Sequence, residues 1–317
     1  MHPAKSVILF TIASGAGYGL LFLLILGHML GLFPTDSPLA WSSFGTAFLL
    51  IITGLLSSTF HLGRPERAWR ALTQWKTSWL SREGILAIVT FVPTGLYGLL
   101  WIFASQSAIP ALPIIGLAAL ILCAATVYCT SMIYACLKPV SAWHNRFVPM
   151  SYLALSLSTG ALILNGILHL QGKNDQLFDM ITIVLIIMSV IIKFFYWQFI
   201  DENKATSTVG SATGLGSMGE VRLLEAAHTE ANYLMKEMGF QIARKHAKKL
   251  RNITFISGFI LPIFLISLIG MINSSGMAQL IVITSILFGA IGIITERWLF
   301  FAEAKHTVSL YYGAKSI

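Results

Sequence analysis

The chain has 317 residues, of which 56% are hydrophobic and 11% are charged, and its mean hydropathy is +0.77. A soluble domain carries roughly 25% charged residues, so this composition excludes an ordinary water-soluble protein and predicts that lipid surrounds most of the chain. The net charge of +8 is therefore not evidence for nucleic-acid binding, and we expect no nucleic-acid partner.

The first apolar run follows Lys5 and continues from Val7 without a small-residue cleavage site before the next polar segment. A secretory signal peptide has a shorter apolar core that ends at such a site. Since this run is long enough to cross a bilayer, we predict a retained transmembrane helix.

Eight stretches of the chain are long and apolar enough to span a membrane, which takes about 20 residues in a helix. Their length and lack of alternation exclude barrel strands, which are about 9–11 residues long. The sequence therefore predicts an all-α integral membrane protein, a single membrane-anchor domain over residues 1–317. The predicted spans are Val7–Leu32, Trp41–Phe60, Ile85–Ala104, Pro113–Leu137, Val148–Leu168, Leu177–Phe199, Ile253–Met271 and Gln279–Phe301.

Basic residues are concentrated in alternate connections between these spans. The connections on one side, together with both termini, carry nearly all of the arginines and lysines, whereas Lys173 is the basic residue of the other side. Cytoplasmic loops are enriched in lysine and arginine. We therefore predict that both termini of the eight-helix bundle are cytoplasmic.

The first basic connection lies in the stretch 58–84, which reads STFHLGRPERAWRALTQWKTSWLSREG. His61 ends the second span and Glu83 begins the third, so both are expected at the same membrane depth. Ionisable residues at hydrocarbon level are costly unless they are used. Arg64 follows His61 in a Gly-Arg-Pro turn that could hold its guanidinium nearby.

This set of side chains fits quinone chemistry, because a quinol releases two electrons and two protons while its tail stays in lipid. A histidine can bond the ring oxygen and take a proton, and an arginine can stabilise negative charge on that oxygen. A nearby carboxylate can pass the proton to water. Proton transport without quinone uses the same groups, and an ordinary basic loop with tryptophan anchors is a further alternative.

The long basic connection, residues 200–252, contains Gly214-Leu215-Gly216-Ser217-Met218-Gly219, but no buried strand precedes it as a dinucleotide site requires. An amphipathic helix is predicted from Glu220 to Leu250 within this connection. It either lies on the membrane surface or docks a soluble subunit. The basic residues predicted to contact such a partner are Arg67, Arg70, Arg82, Arg244, Lys245, Lys248 and Lys249.

Other polar residues within the spans have simpler interpretations. His28 and His169 could together ligate a b-type haem, although each could equally be an interfacial polar residue. Cys123, Cys129 and Cys136 lack the spacing of a metal site and are interpreted as small apolar side chains. Snorkelling to the membrane interface is expected for three charged residues within the spans, Lys193, Glu296 and Arg297.

Three segments together resemble a known family. HPAKSVILFT, FHLGRPERAWRAL…SWLSREG and TGLGSMGEVRLLEAAHTEANYLMKEMGFQIARKHAKKLR are similar to the membrane anchor subunits of the DMSO-reductase type, the DmsC family. The second and third segments most resemble the branch found in sulfite dehydrogenase (sulfite:quinone) complexes. The resemblance covers essentially the whole chain.

The resemblance implies a multi-pass subunit of the bacterial cytoplasmic (inner) membrane that binds no cofactor itself. It implies two partners: an iron–sulfur subunit with [4Fe-4S] clusters and a catalytic subunit with molybdopterin guanine dinucleotide. The anchor is then expected to exchange electrons between quinone and the iron–sulfur subunit. The family's quinone-site histidine corresponds to His61 and its acidic residue to Glu83, whereas the position of Arg64 varies.

Three functions stay open from the sequence. The chain can be a quinone-reactive anchor for sulfite oxidation, or the same anchor in a complex that reduces a sulfoxide or N-oxide. It can be a purely structural anchor, in which quinone reacts only with a partner. It can also be a transporter or proton carrier that works without any partner.

Overall fold

The computed structural model of the chain describes residues 4–60, 62, 64–104, 110–173, 175–202, 207–222, 224–225, 245–272 and 274–312. The eight predicted spans are confirmed as helices that are long and apolar enough to cross a membrane. We label them α1 (Lys5–Met29), α2 (Ser37–Thr59), α3 (Trp79–Phe103), α4 (Leu112–Ala135), α5 (Phe147–Leu170), α6 (Gln176–Glu202), α7 (Ala247–Ile269) and α8 (Ser275–Ala302).

α3 begins at Trp79, well before the start predicted at Ile85. Ser78 is its N-cap, with an extended backbone and a side chain that accepts a hydrogen bond from the Ser81 amide at 3.4 Å. Hydropathy detects only the lipid-embedded part of a helix, whereas capping sets where the helix itself begins. Glu83 therefore lies inside the first turns of α3.

Two contacts between distant segments fix the relative directions of α1, α2 and α5. Ser57, near the end of α2, donates a hydrogen bond to the Ser6 carbonyl at the start of α1, at 3.1 Å. At the other end, Gln171 after α5 donates to Ser42 in the first turns of α2, at 2.6 Å. We call the end with the start of α1 and the connection 60–78 the basic end, because most arginines and lysines lie there.

α1 lies at the centre of the bundle. In its most apolar stretch of 18 residues, 78% of the residues are buried, against 28–56% in the corresponding stretches of the other helices. It crosses α5 where small residues meet, and a Cβ at Gly19 would overlap the Ser156 carbonyl of α5. Ser156 also donates a hydrogen bond to the Gly15 carbonyl at 2.6 Å. Small residues at such crossings allow the backbones of membrane helices to approach closely.

Gly19→Ala is expected to destabilise the protein by about 1–3 kcal/mol, the usual cost of overpacking, because the new methyl group has no room against Ser156. The measurement is the thermal unfolding midpoint of the detergent-solubilised protein. Gly45→Ala on α2 is the matched control, since nothing lies within 4 Å of the position of its new methyl group. Equal midpoints for the two variants would show that the α1–α5 crossing does not limit stability.

Candidate functional site

The first connection at the basic end carries a 3₁₀ helix over Pro65–Gln74, and none of its residues is buried. Arg64, Arg67 and Arg70 are exposed, and Trp69 is 62% exposed. This segment lies against α3, where the Leu72 side chain packs against Gly84. A Cβ at Gly84 would lie 2.9 Å from Leu72 Cδ2, so the lack of a side chain there makes room for Leu72. The connection therefore presents arginine and tryptophan side chains outward, immediately beside the residue that follows Glu83.

Arg82 fixes the return of this connection into α3. Its Nε donates to the Trp75 carbonyl at 2.9 Å, and its Nη2 donates to the Lys76 carbonyl at 2.6 Å. The guanidinium also lies over the Trp79 ring, with Cζ 4.4 Å from the ring centroid. Arg82 thus stabilises the loop that precedes Glu83; its predicted contact with a partner stays a prediction.

Glu83 is buried, with 5% of its surface exposed, and faces α1 and α4 rather than solvent. The Thr130 hydroxyl of α4 lies 3.5 Å from its Oε1 atom, and Tyr18 of α1 is within electrostatic range of the carboxyl. Within the ranges that the structure describes, no cation forms an ion pair with Glu83. A carboxyl in this setting can hold or release a proton.

His61 lies outside the described residues, so its predicted proximity to Glu83 stays a prediction. Phe60 and Leu62, its neighbours in sequence, are exposed at the basic end. Arg64 is exposed whereas Glu83 is buried, and in the part of the chain described no ion pair joins them. The structure therefore places Arg64 at the surface of the site and Glu83 in its interior.

A second polar cluster was not predicted and lies inside the bundle. The Nζ atom of Lys193 on α6 is 2.6 Å from Glu296 Oε1 on α8, and Arg297 Nε is 3.4 Å from Glu296 Oε2. Their exposed fractions are 1%, 0% and 3%, so the predicted snorkelling of Lys193, Glu296 and Arg297 is wrong. Snorkelling favours a charge that faces lipid alone, whereas these charges compensate one another in the interior.

Aromatic rings extend this cluster. Lys193 Nζ lies 3.8 Å from the centroid of the Tyr196 ring, and Arg297 Cζ lies 3.8 Å from that of Tyr152, so each cation also faces a π system.

The sequence contained one signal for the cluster. Lys193 and Glu296 lie at similar distances from the basic-end termini of their helices and carry opposite charges.

Glu296→Gln is expected to cost about 3–5 kcal/mol of stability, since it leaves two buried cations without their shared carboxylate. The thermal unfolding midpoint of the purified protein measures this loss. Glu66→Gln is the control, because Glu66 is an exposed partner of Arg67 at 3.9 Å and exposed pairs contribute little. A Glu296→Gln protein as stable as the control would contradict a structural role for the cluster.

The two histidines considered for haem each contact a different side chain. His28 Nδ1 is 2.6 Å from the Tyr97 hydroxyl, and the ring stacks on Trp101 with centroids 3.7 Å apart. His169 Nε2 is 3.0 Å from Asp179 Oδ1, and His169 is buried. These contacts give the haem alternative no support.

The long connection is described only in part. α6 extends to Glu202, and a short helix over Val209–Thr213 ends at Gly214, whose φ is +73°. The glycine motif thus follows a helical turn. The predicted amphipathic helix falls mainly on 223 and 226–244, which lie outside the described residues, as does Arg244. Lys245, Lys248 and Lys249 are exposed at the start of α7, where a partner could reach them.

A family model of the DMSO reductase anchor subunit (DmsC) matches residues 1–313. The chain belongs to this family. A sulfite dehydrogenase subunit of Allochromatium vinosum is 30% identical over 327 residues, which cover 98% of this chain and 99% of the relative. No solved structure matches the chain significantly. The DmsC resemblance seen in the sequence is confirmed, and this DmsC-family chain is a multi-pass membrane anchor of the oxidoreductase type.

Proposed function

We propose that this DmsC-family chain is the quinone-reactive anchor of a molybdopterin and iron–sulfur oxidoreductase complex that oxidises sulfite. The similarity to a sulfite dehydrogenase subunit along nearly the full length of both chains supports this assignment. The electrons then pass from sulfite through the partners' molybdopterin guanine dinucleotide and [4Fe-4S] clusters to quinone. The anchor supplies the place where the quinone ring meets the last cluster and receives protons.

The observation that carries the proposal is the setting of Glu83. It is a buried carboxyl with no ion-pair partner among the described residues, directly behind an exposed connection rich in arginine and tryptophan. Tryptophan and arginine are typical of the membrane interface, where the head group of a quinone also rests. A carboxyl that serves only structure in lipid is expected to have a compensating charge.

The chemistry of the site follows from the balance of quinone reduction. One quinone takes up two electrons from the iron–sulfur partner and two protons to become quinol. Glu83 and His61 each deliver a proton to one ring oxygen, and Arg64 stabilises negative charge on the ring before protonation is complete. Quinol oxidation is the same exchange in reverse.

The partners dock at the basic end in this proposal. Arg67 and Arg70 in the first connection, and Lys245, Lys248 and Lys249 at the start of α7, are exposed there and offer a surface to acidic groups. Arg82 and Arg244 complete the predicted set. The positive-inside rule assigns this end to the cytoplasmic face of the bacterial inner membrane.

Glu83→Gln is expected to lower quinone-coupled sulfite oxidation by about 100-fold or more, the usual contribution of a positioned acid or base. Turnover of the same complex with a soluble electron acceptor stays unchanged, because that reaction bypasses the anchor. Both rates are measured on the purified complex. The control Glu66→Gln removes a carboxyl from the adjacent exposed connection and retains both rates. Full quinone-coupled activity in Glu83→Gln would rule out this role for the carboxyl.

His61→Ala tests the other predicted proton donor. Quinone-coupled turnover is expected to fall by about the same factor, while assembly of the complex and turnover with a soluble acceptor are retained. His246→Ala is the matched control, since His246 is an exposed histidine at the same end of the bundle. If both histidine variants retain quinone-coupled turnover, His61 takes no part in the reaction.

A further inference from the structure

If Glu83 exchanges protons with quinone, as in the proposed function on which this inference rests, protons need a path between Glu83 and water. Its side chain is buried, so bulk water does not reach it directly. The Thr130 hydroxyl, 3.5 Å from Glu83 Oε1, also lies 3.0 Å from the Thr126 carbonyl, to which it can donate a hydrogen bond. A hydroxyl can accept one proton while it donates another, so Thr130 is suited to pass protons from or to Glu83.

Thr130 also lines a small internal cavity between α1, α4, α5 and α8. The cavity volume is about 20 Å³, which is enough for at least one water molecule. Its polar lining comes from four helices and consists mainly of hydroxyl groups with one guanidinium. The residues that matter here are Thr11, Ser14, Tyr18, Thr130, Tyr152 and Arg297.

Several polar atoms of this lining have no hydrogen-bond partner in the described part of the chain. They are the hydroxyls of Tyr18 and Tyr152 and the Nη1 atom of Arg297. Buried polar groups that protein atoms do not satisfy are usually satisfied by internal water. The geometry thus fits a hydrated pocket with Glu83 behind one wall, beyond Thr130.

Arg297 forms the opposite wall of the cavity, and further charged side chains lie beyond it toward the basic end. Arg297 lies next to Glu296, which bonds Lys193. Burial raises the pKa of Glu303, just after α8, whereas Arg251 and then Lys193 act to lower it, so Glu303 is electrostatically coupled to the cluster. Arg251 bonds Glu303 at 2.8 Å and Asp201 at 2.7 Å, and the Asp201 side chain is 62% exposed. Charged side chains are therefore present from the cavity lining to the exposed Asp201, with an electrostatic interaction linking Lys193 and Glu303.

We propose that this cavity is the proton route between Glu83 and water at the basic end, with Thr130 as its entrance and the Lys193–Glu296–Arg297 cluster as its far wall. For each quinone reduced, the proton that Glu83 gives to the ring is replaced from water along this route. The electrons come separately from the iron–sulfur partner, so atoms and charge balance. The route runs in the opposite sense when quinol is oxidised.

The entrance is tested with Thr130→Val in the assembled complex. This nearly isosteric change removes the hydroxyl, and we expect quinone-coupled kcat to fall about tenfold or more with an enlarged solvent deuterium isotope effect. The affinity for a hydroxyquinoline N-oxide quinone analogue stays unchanged, which separates proton transfer from binding. Thr130→Ser restores turnover because it retains the hydroxyl.

Thr126→Val is the matched control for this experiment. Thr126 is one turn away on the same helix, is fully buried and contacts the Thr90 hydroxyl at 3.0 Å, but it does not line the cavity. We expect its turnover and isotope effect to equal those of the wild type. Equal turnover in Thr130→Val and Thr126→Val, with a normal isotope effect in both, would overturn the proposed entrance.

A second variant keeps the proposal testable if Thr130→Val does not assemble. Tyr152→Phe retains the ring against Arg297 and removes one cavity hydroxyl, so turnover falls and the isotope effect rises. Tyr97→Phe, another buried tyrosine placed further along α3, retains both values. If Glu83→Gln abolishes quinone coupling while both cavity variants behave like their controls, the quinone site stands and the route fails. If Glu83→Gln has no effect, the proposed function itself fails.

Discussion

An ionised side chain inside the hydrocarbon region needs a compensating charge, and this requirement organises the basic half of the bundle. Glu296 lies between Lys193 and Arg297, so one carboxylate joins α6 to α8 and fixes the relative position of the two helices. The tyrosine rings over both cations add to this compensation. Nearer the surface, Arg251 bonds two carboxylates and connects α7 to Asp201 in the last turn of α6 and to Glu303 just after α8.

Glu83 stands apart from this pattern, and the contrast is the main argument for its function. It is nearly as deeply buried as members of the ion cluster, yet its described polar neighbours are the hydroxyls of Thr130 and, within electrostatic range, Tyr18. A group that has no fixed countercharge can change its protonation state without breaking an ion pair. The ion cluster therefore stabilises the packing of α6 against α8, whereas Glu83 has the setting that the proposed proton exchange with quinone requires.

The number and approximate position of the spans could be predicted from sequence, because each exceeds the length and apolarity that a bilayer requires. The start of α3 could not be predicted in this way, since hydropathy does not register the Ser78 cap. Because the helix begins at this cap, Glu83 lies one turn inside it. The interpretation of Lys193 and Arg297 was wrong for a related reason. A criterion applied to one helix at a time detects a cation near an interface but not the groups that other helices place against it, which are Glu296 for Lys193 and the Tyr152 ring for Arg297.

The most direct test of the quinone site is photolabelling of the assembled complex with an azido-quinone, followed by peptide mapping of the anchor. The account predicts that label falls within 58–84, the connection at the basic end together with the start of α3, and that excess unlabelled quinone prevents it. Label confined to the opposite end, on 30–36 or 171–175, would place the quinone ring far from Glu83 and contradict the account.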